Sequence, residues 1–278
     1  MVRTVRHIIL GILTAGVAIY LAVIGYLYIN QRQLLYAVRP GLETPAITGL
    51  AIQDIRITTK DGETLQAWYE PPQEGRPVIL YFHGKGDALS MGKWRYIRMH
   101  KAGVGYLALS YRGYGGSTGT PTETGLITDG LAAYDWLRAQ GFEDQQIVIH
   151  GHSLGSGVAT YVATQRPARA LLLEAPFTAT CDVASKRYPL IPACLLMHDR
   201  FLNRERIKDV HTPVLIAHGD RDSVVPFSQG KHLFELANSP KLFVKMKGSE
   251  HSTLTRDGVY NAYWRFLGLP EDPADPVP

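Results

Sequence analysis

The run Gly151-His152-Ser153-Leu154-Gly155 places a serine where acyl-transfer chemistry requires one. A short β-branched stretch, Ile147-Val148-Ile149, precedes it, and small helix-compatible residues fill 156–165 after it. The pattern reads as strand, sharp turn, helix. The turn strains the serine backbone, so the residues two positions to either side must lack a Cβ. A serine hydroxyl is a weak nucleophile until a neighbouring base takes its proton, and the base needs an acid to fix its tautomer. An idle serine on a glycine-rich turn is the competing reading, and it predicts no such partners. Both partners follow in the chain. Residues 214–217 are apolar and run into His218-Gly219-Asp220-Arg221-Asp222, and residues 242–246 form a strand candidate leading to Gly248-Ser249-Glu250-His251. His251 is the expected base. Asp222 is preferred over Asp220 as the acid, because the acid must lie beyond the strand end, whereas Asp220 directly follows His218-Gly219 and is better placed to cap or brace the turn. The oxyanion that forms on attack needs backbone donors. Leu154 N–H is one, and Lys85 N–H, in the glycine-flanked loop His83-Gly84-Lys85-Gly86, is the other.

These groups require a scaffold that delivers strand ends to one edge. Strand candidates at 77–82, 106–110, 147–150, 170–174, 214–217 and 242–246 alternate with helix candidates at 90–102, 123–140, 154–165, 228–237 and 258–267. Such alternation predicts an α/β class with a mostly parallel sheet and helices on both faces, its site at the strand carboxyl ends. An entry hairpin over 52–59 and 65–69, turning at Asp61-Gly62, comes before it. Residues 177–210 break the alternation and are expected to form a small cap insertion.

The chain resembles the serine hydrolases of the α/β-hydrolase superfamily, in the group with a serine-aminopeptidase-like hydrolase domain and an N-terminal membrane anchor. The matching segments are Asp61-Gly62 with Trp68-Tyr69, His83-Gly84, Tyr111-Arg112-Gly113-Tyr114-Gly115, the Ser153 turn, His218 to Pro226, and Gly248 to His251. The resemblance implies an α/β-hydrolase fold and a Ser153–Asp222–His251 triad. It also implies cleavage of an acyl ester, thioester or amide through an acyl-serine, the partner being a small-molecule or lipid-like acyl substrate. Lys85 replaces the Asn common in the group, and Ser252-Thr253 replaces an Asn-Asp that often follows the histidine. A non-catalytic, membrane-anchored binding or scaffold protein on the same fold is the alternative, and a complete triad in the right order argues against it.

Composition narrows the partners. The 278 residues are 45% hydrophobic and 19% charged with a net charge of +4, which indicates an ordered chain and no nucleic-acid stripe. The glycine cluster from Gly113 to Gly119 is no dinucleotide loop, since Thr118 stands where the last glycine of G-x-G-x-x-G belongs. No cofactor or metal site is expected. Cys181 and Cys194 lack metal-ligand spacing and stand either as a disulfide or as two thiols.

Residues 8–29, opening on Ile8 and closing on Ile29, carry no charge. As a helix they would measure about 33 Å, enough to cross a bilayer. The run is longer than a signal-peptide core and no A-x-A site follows, so an uncleaved single-pass anchor is expected. Arg3 and Arg6 on one side face Arg32 and Arg39 on the other, which leaves the orientation open with an extracytoplasmic domain preferred. The expected layout is anchor 1–32, connector 33–50, hydrolase domain 51–268 with the insertion at 177–210, and tail 269–278.

Overall fold

A computed structural model describes residues 2–39, 41 and 44–272; connector positions 40, 42 and 43 and tail residues 273–278 lie outside the described residues. The strands are β1 (Gln53–Thr58), β2 (Thr64–Glu70), β3 (Val78–Phe82), β4 (Gly105–Leu109), β5 (Ile147–His152), β6 (Ala170–Glu174), β7 (Val214–Gly219) and β8 (Lys241–Met246). They form one sheet in the order β1-β2-β4-β3-β5-β6-β7-β8. The hairpin β1–β2 and the β2–β4 contact are antiparallel, and every later pairing is parallel.

Strands β3 to β7 are buried along their whole length because both faces are covered. Successive side chains point to opposite sides. Val78, Leu80 and Phe82 enter one core, with α3 (Glu123–Ala139), α4 (Leu154–Gln165) and α8 (Phe227–Leu236) against it. Ile79 and Tyr81 enter the other, under α2 (Lys93–Lys101) and α9 (Val259–Leu267). The edge strands β1 and β8 lack this double burial and carry Asp54, Arg56, Lys241 and Lys245 instead. Local signals set the helix starts. Thr122 accepts a hydrogen bond from Gly125 N–H at the head of α3, whose first turn carries Glu123. The helix expected from residue 90 opens instead as a 3₁₀ turn, Leu89–Gly92, with no side-chain cap, and becomes α-helical at Lys93.

The N-terminal helix α1 spans Val2–Tyr36, is long and apolar enough to cross a membrane, and runs past the uncharged segment. Its last turn, which the sequence reading placed in the connector, stays helical because Tyr36 is buried in the α3/α4 core. The helix stops there. Ala37 turns to φ 47°, and the Tyr36 carbonyl accepts from Gly86 N–H (3.1 Å) and Tyr114 Oη (2.6 Å). Between β6 and β7 lie three short helices, α5 (Thr180–Arg187), α6 (Ala193–Leu196) and α7 (Asn203–Arg206). A Cys181–Cys194 disulfide joins α5 to α6.

Candidate active site

The turn after β5 carries Ser153 at φ 50°, ψ −117°, a left-handed region in which a side chain is strained. Two contacts enforce the motif. A Cβ on Gly151 would lie 2.4 Å from the Gly155 carbonyl oxygen, and a Cβ on Gly155 would lie 2.1 Å from that of Phe82. Ser153 N–H donates to the carbonyl of Glu174 at the end of β6, which ties the turn to the neighbouring strand.

The structure brings the three residues expected as a triad into one hydrogen-bonded line. His251 Nε2 is 2.8 Å from Ser153 Oγ, and Nδ1 is 2.7 Å from Asp222 Oδ2. With the carboxylate ionised, the ring proton lies on Nδ1 and Nε2 is left to accept from the serine. Asp222 is held firmly. Its Oδ1 accepts from the Val224 and Val225 amides at 2.8 Å each, and His218 Nε2 lies 3.2 Å from Oδ2. Burial opposes its ionisation, but the hydrogen bonds from His218 and His251 outweigh it and keep the carboxyl well below the usual carboxylate range. Asp220 points elsewhere. It accepts from Gly248 N–H at 2.7 Å and pairs with Lys245 at 3.2 Å, bracing the turn after β8.

The loop after β3 is fixed from two sides. Tyr111 Oη donates to the His83 carbonyl at 3.0 Å, and Gly84 N–H donates to Asp87 Oδ2 at 3.0 Å. The Tyr-Arg-Gly-Tyr-Gly segment therefore has a positioning role: Tyr111 holds this loop, and Tyr114 holds the end of α1. Arg112 locks the segment itself through Asp61 (2.8 Å) and the buried Asp129 (2.7 Å). Neither Lys85 N–H nor Leu154 N–H has an acceptor among the described residues, which leaves both amides available to an oxyanion.

A cavity of about 630 Å³ contains Ser153, Leu154 and Lys85. Lys85 lines it while remaining exposed, and partial loss of hydration pushes its ammonium pKa down. The other walls come from α5, α6 and, unanticipated from sequence, α1. Cys181, Asp182 and Cys194 are the only metal-ligand-like cluster among the described residues, and the disulfide accounts for both sulfurs.

Known proteins resemble this chain over most of its length. The family model for the alpha/beta hydrolase fold matches residues 77–190. An uncharacterized protein of Mycobacterium tuberculosis is 37% identical over 83% of this chain and 83% of its own length. The lysophosphatidylserine lipase of Danio rerio is 36% identical over 66% of this chain and 52% of its own, so the chain spans about half the length of that relative. Among solved structures, an esterase of Pyrococcus furiosus superposes with a TM-score of 0.65 at 20% identity, covering 83% of this chain and 96% of the esterase, a likeness of fold. Sheet order, matched model and extended similarity together make this chain a member of the α/β-hydrolase superfamily.

Proposed function

We propose that the protein is a membrane-anchored serine hydrolase that cleaves the acyl ester of a lipid-like substrate through an acyl-Ser153 intermediate. The observation that carries this reading is the unbroken Ser153–His251–Asp222 hydrogen-bonded line opening on an apolar cavity. Ser153 Oγ attacks the ester carbonyl as His251 Nε2 takes its proton, and Asp222 stabilises the imidazolium. The oxygen of the tetrahedral intermediate takes hydrogen bonds from Lys85 N–H and Leu154 N–H. His251 returns the proton to the departing alcohol, and a water then repeats the sequence in reverse to release the acid.

Three features support the ester of a lipid over other acyl compounds: the apolar cavity walls, the bilayer-length α1, and the lipase activity named for relatives at 34–36% identity. The Cys181–Cys194 disulfide supports placing the domain outside the cytoplasm, where such bonds persist. The test is labelling by a fluorophosphonate, which reacts quickly only with an activated serine. The intact chain should label on Ser153, and Ser153→Ala should remove both labelling and nearly all esterase turnover. An unlabelled wild-type chain that is folded and binds lipid would favour a binding protein instead.

A further inference from the structure

Six residues of α1, namely Ile24, Leu27, Tyr28, Gln31, Leu34 and Leu35, line the same cavity as Ser153. Their spacing places them on one helix face. From Leu35 to Ile24 this face runs about 16 Å, away from the serine and towards the apolar part of the helix. The facing wall belongs to the insertion, with Val183, Tyr188, Ile191 and Leu196. Helix and insertion are joined at several heights. Tyr20 Oη donates to the Leu190 carbonyl at 2.7 Å, the His198 amide to Gln31 Oε1 at 2.8 Å, and Arg32 pairs with Asp199 at 2.9 Å.

Helix length sets the depth of this joint. About 20 residues of apolar helix cross the hydrocarbon of a bilayer, which from Ile8 reaches to about residue 27. Tyr20, and Leu190 with it, then lie within the membrane boundary. Leu190, at this level, is 80% exposed, as an apolar side chain seated in lipid would be.

We infer that the cavity is a lipid portal: the acyl chain of a bilayer lipid moves sideways between α1 and the insertion and lies along the inner face of α1, its ester at Ser153. The inference rests on the serine-hydrolase reading and adds where the substrate comes from and what measures its chain. The anchor is thereby a specificity-determining wall of the site.

The test uses the full chain in phosphatidylcholine vesicles and the ratio of turnover on 4-methylumbelliferyl palmitate to that on the butyrate. Leu27→Trp, which fills the trough, should lower the ratio about tenfold or more. Leu27→Ala, which removes a chain contact without adding bulk, should lower it about threefold. Ile29→Trp, on the opposite face where Ile29 is 81% exposed, should leave it unchanged. A ratio unmoved by both Leu27 variants, or moved equally by Ile29→Trp, overturns the portal. A second measurement is independent of turnover. A phospholipid with a diazirine at the end of its acyl chain should crosslink to residues 183–191, and Leu27→Trp should abolish that crosslink; its absence from the wild-type chain overturns the portal. If Ser153 fails to label while this crosslink forms, the serine-hydrolase reading falls and the portal stands.

Discussion

Two buried carboxylates sit at the ends of adjacent parallel strands, and only one of them is linked by hydrogen bonds to a serine at a cavity. Asp222, just beyond β7, contacts His251, which contacts Ser153 at the cavity. Glu174, the last residue of β6, contacts Arg95 through paired bonds of 2.5 and 2.7 Å, His150 at 3.3 Å and Tyr263 Oη at 3.2 Å. Desolvation opposes ionisation of both, and both are nevertheless held below the usual range, Asp222 by two histidines and Glu174 chiefly by the Arg95 guanidinium. Every residue of the Glu174 cluster is buried. Burial also pushes the His150 pKa down, and the ring lies between Tyr81, Tyr260 and Tyr263. A depressed carboxylate beside a histidine is therefore not in itself a sign of chemistry. What separates the two clusters is whether the line of hydrogen bonds ends on a hydroxyl in a cavity. The Glu174 cluster serves the site from beneath, because its backbone carbonyl holds the Ser153 amide.

The comparison is broken most directly at the acids. Asp222→Asn should lower kcat by about three to four orders of magnitude, since the amide favours the wrong imidazole tautomer, while the melting temperature changes little. Asp220→Asn, a change in the turn brace, should keep kcat within about threefold. Steady-state turnover of a soluble ester by the two variants decides the assignment, and the reverse pattern would make Asp220 the acid.

Glu174→Gln should show the opposite profile. It leaves the Arg95 charge buried without its counter-charge, a loss of about 3–5 kcal/mol in unfolding free energy, while kcat per folded molecule stays within a few-fold. The sign of its pH dependence follows from linkage. The folded-state pKa of Glu174 lies below its unfolded value, so its contribution is complete above about pH 5 and is lost as pH falls towards the folded value. Denaturation of wild type and variant should therefore show a constant gap at neutral pH that narrows below about pH 4. A gap that widens in acid would contradict the charged pair.

The smallest effect is expected at Lys85. Lys85 is an exposed residue of the cavity lining, so Lys85→Asn should cost up to about fivefold in kcat/KM on anionic acyl substrates and leave neutral esters unaffected. The loss should shrink at high salt. Equal behaviour on both substrate types would leave the side chain without a role in selection.

How much of this was legible in the sequence depended on periodicity. The central strands are short apolar runs with turn residues after them, and the Ser, Asp, His order survives any variation in loop length, so both could be read residue by residue. The wall provided by α1 could not. Residues 8–29 are uncharged all round and show no stripe; polar Asn30, Arg32 and Gln33, which are not among the lining residues, come only after that run, so most of the helix carries no mark of the face turned to the cavity. Helices α6 and α7 have four residues each, too few to carry a 3.6-residue pattern. The Arg95–Glu174 pair joins residues 79 apart, a contact that only the packed sheet reveals. Cysteine pairing was equally a matter of three-dimensional placement.

The junction at Tyr36 has a mechanical consequence. No slack chain separates α1 from the catalytic loop: the helix ends on a carbonyl that takes hydrogen bonds from Gly86, one residue from Lys85, and from Tyr114. A helix of 35 residues is about 52 Å long and meets a change in bilayer thickness by tilting. In the membrane-anchored hydrolase proposed above, such a tilt would be passed at Tyr36 to the loop that carries Lys85 and so to the mouth of the cavity. On that reading, bilayer thickness would be an input to turnover, delivered through the two hydrogen bonds on the Tyr36 carbonyl.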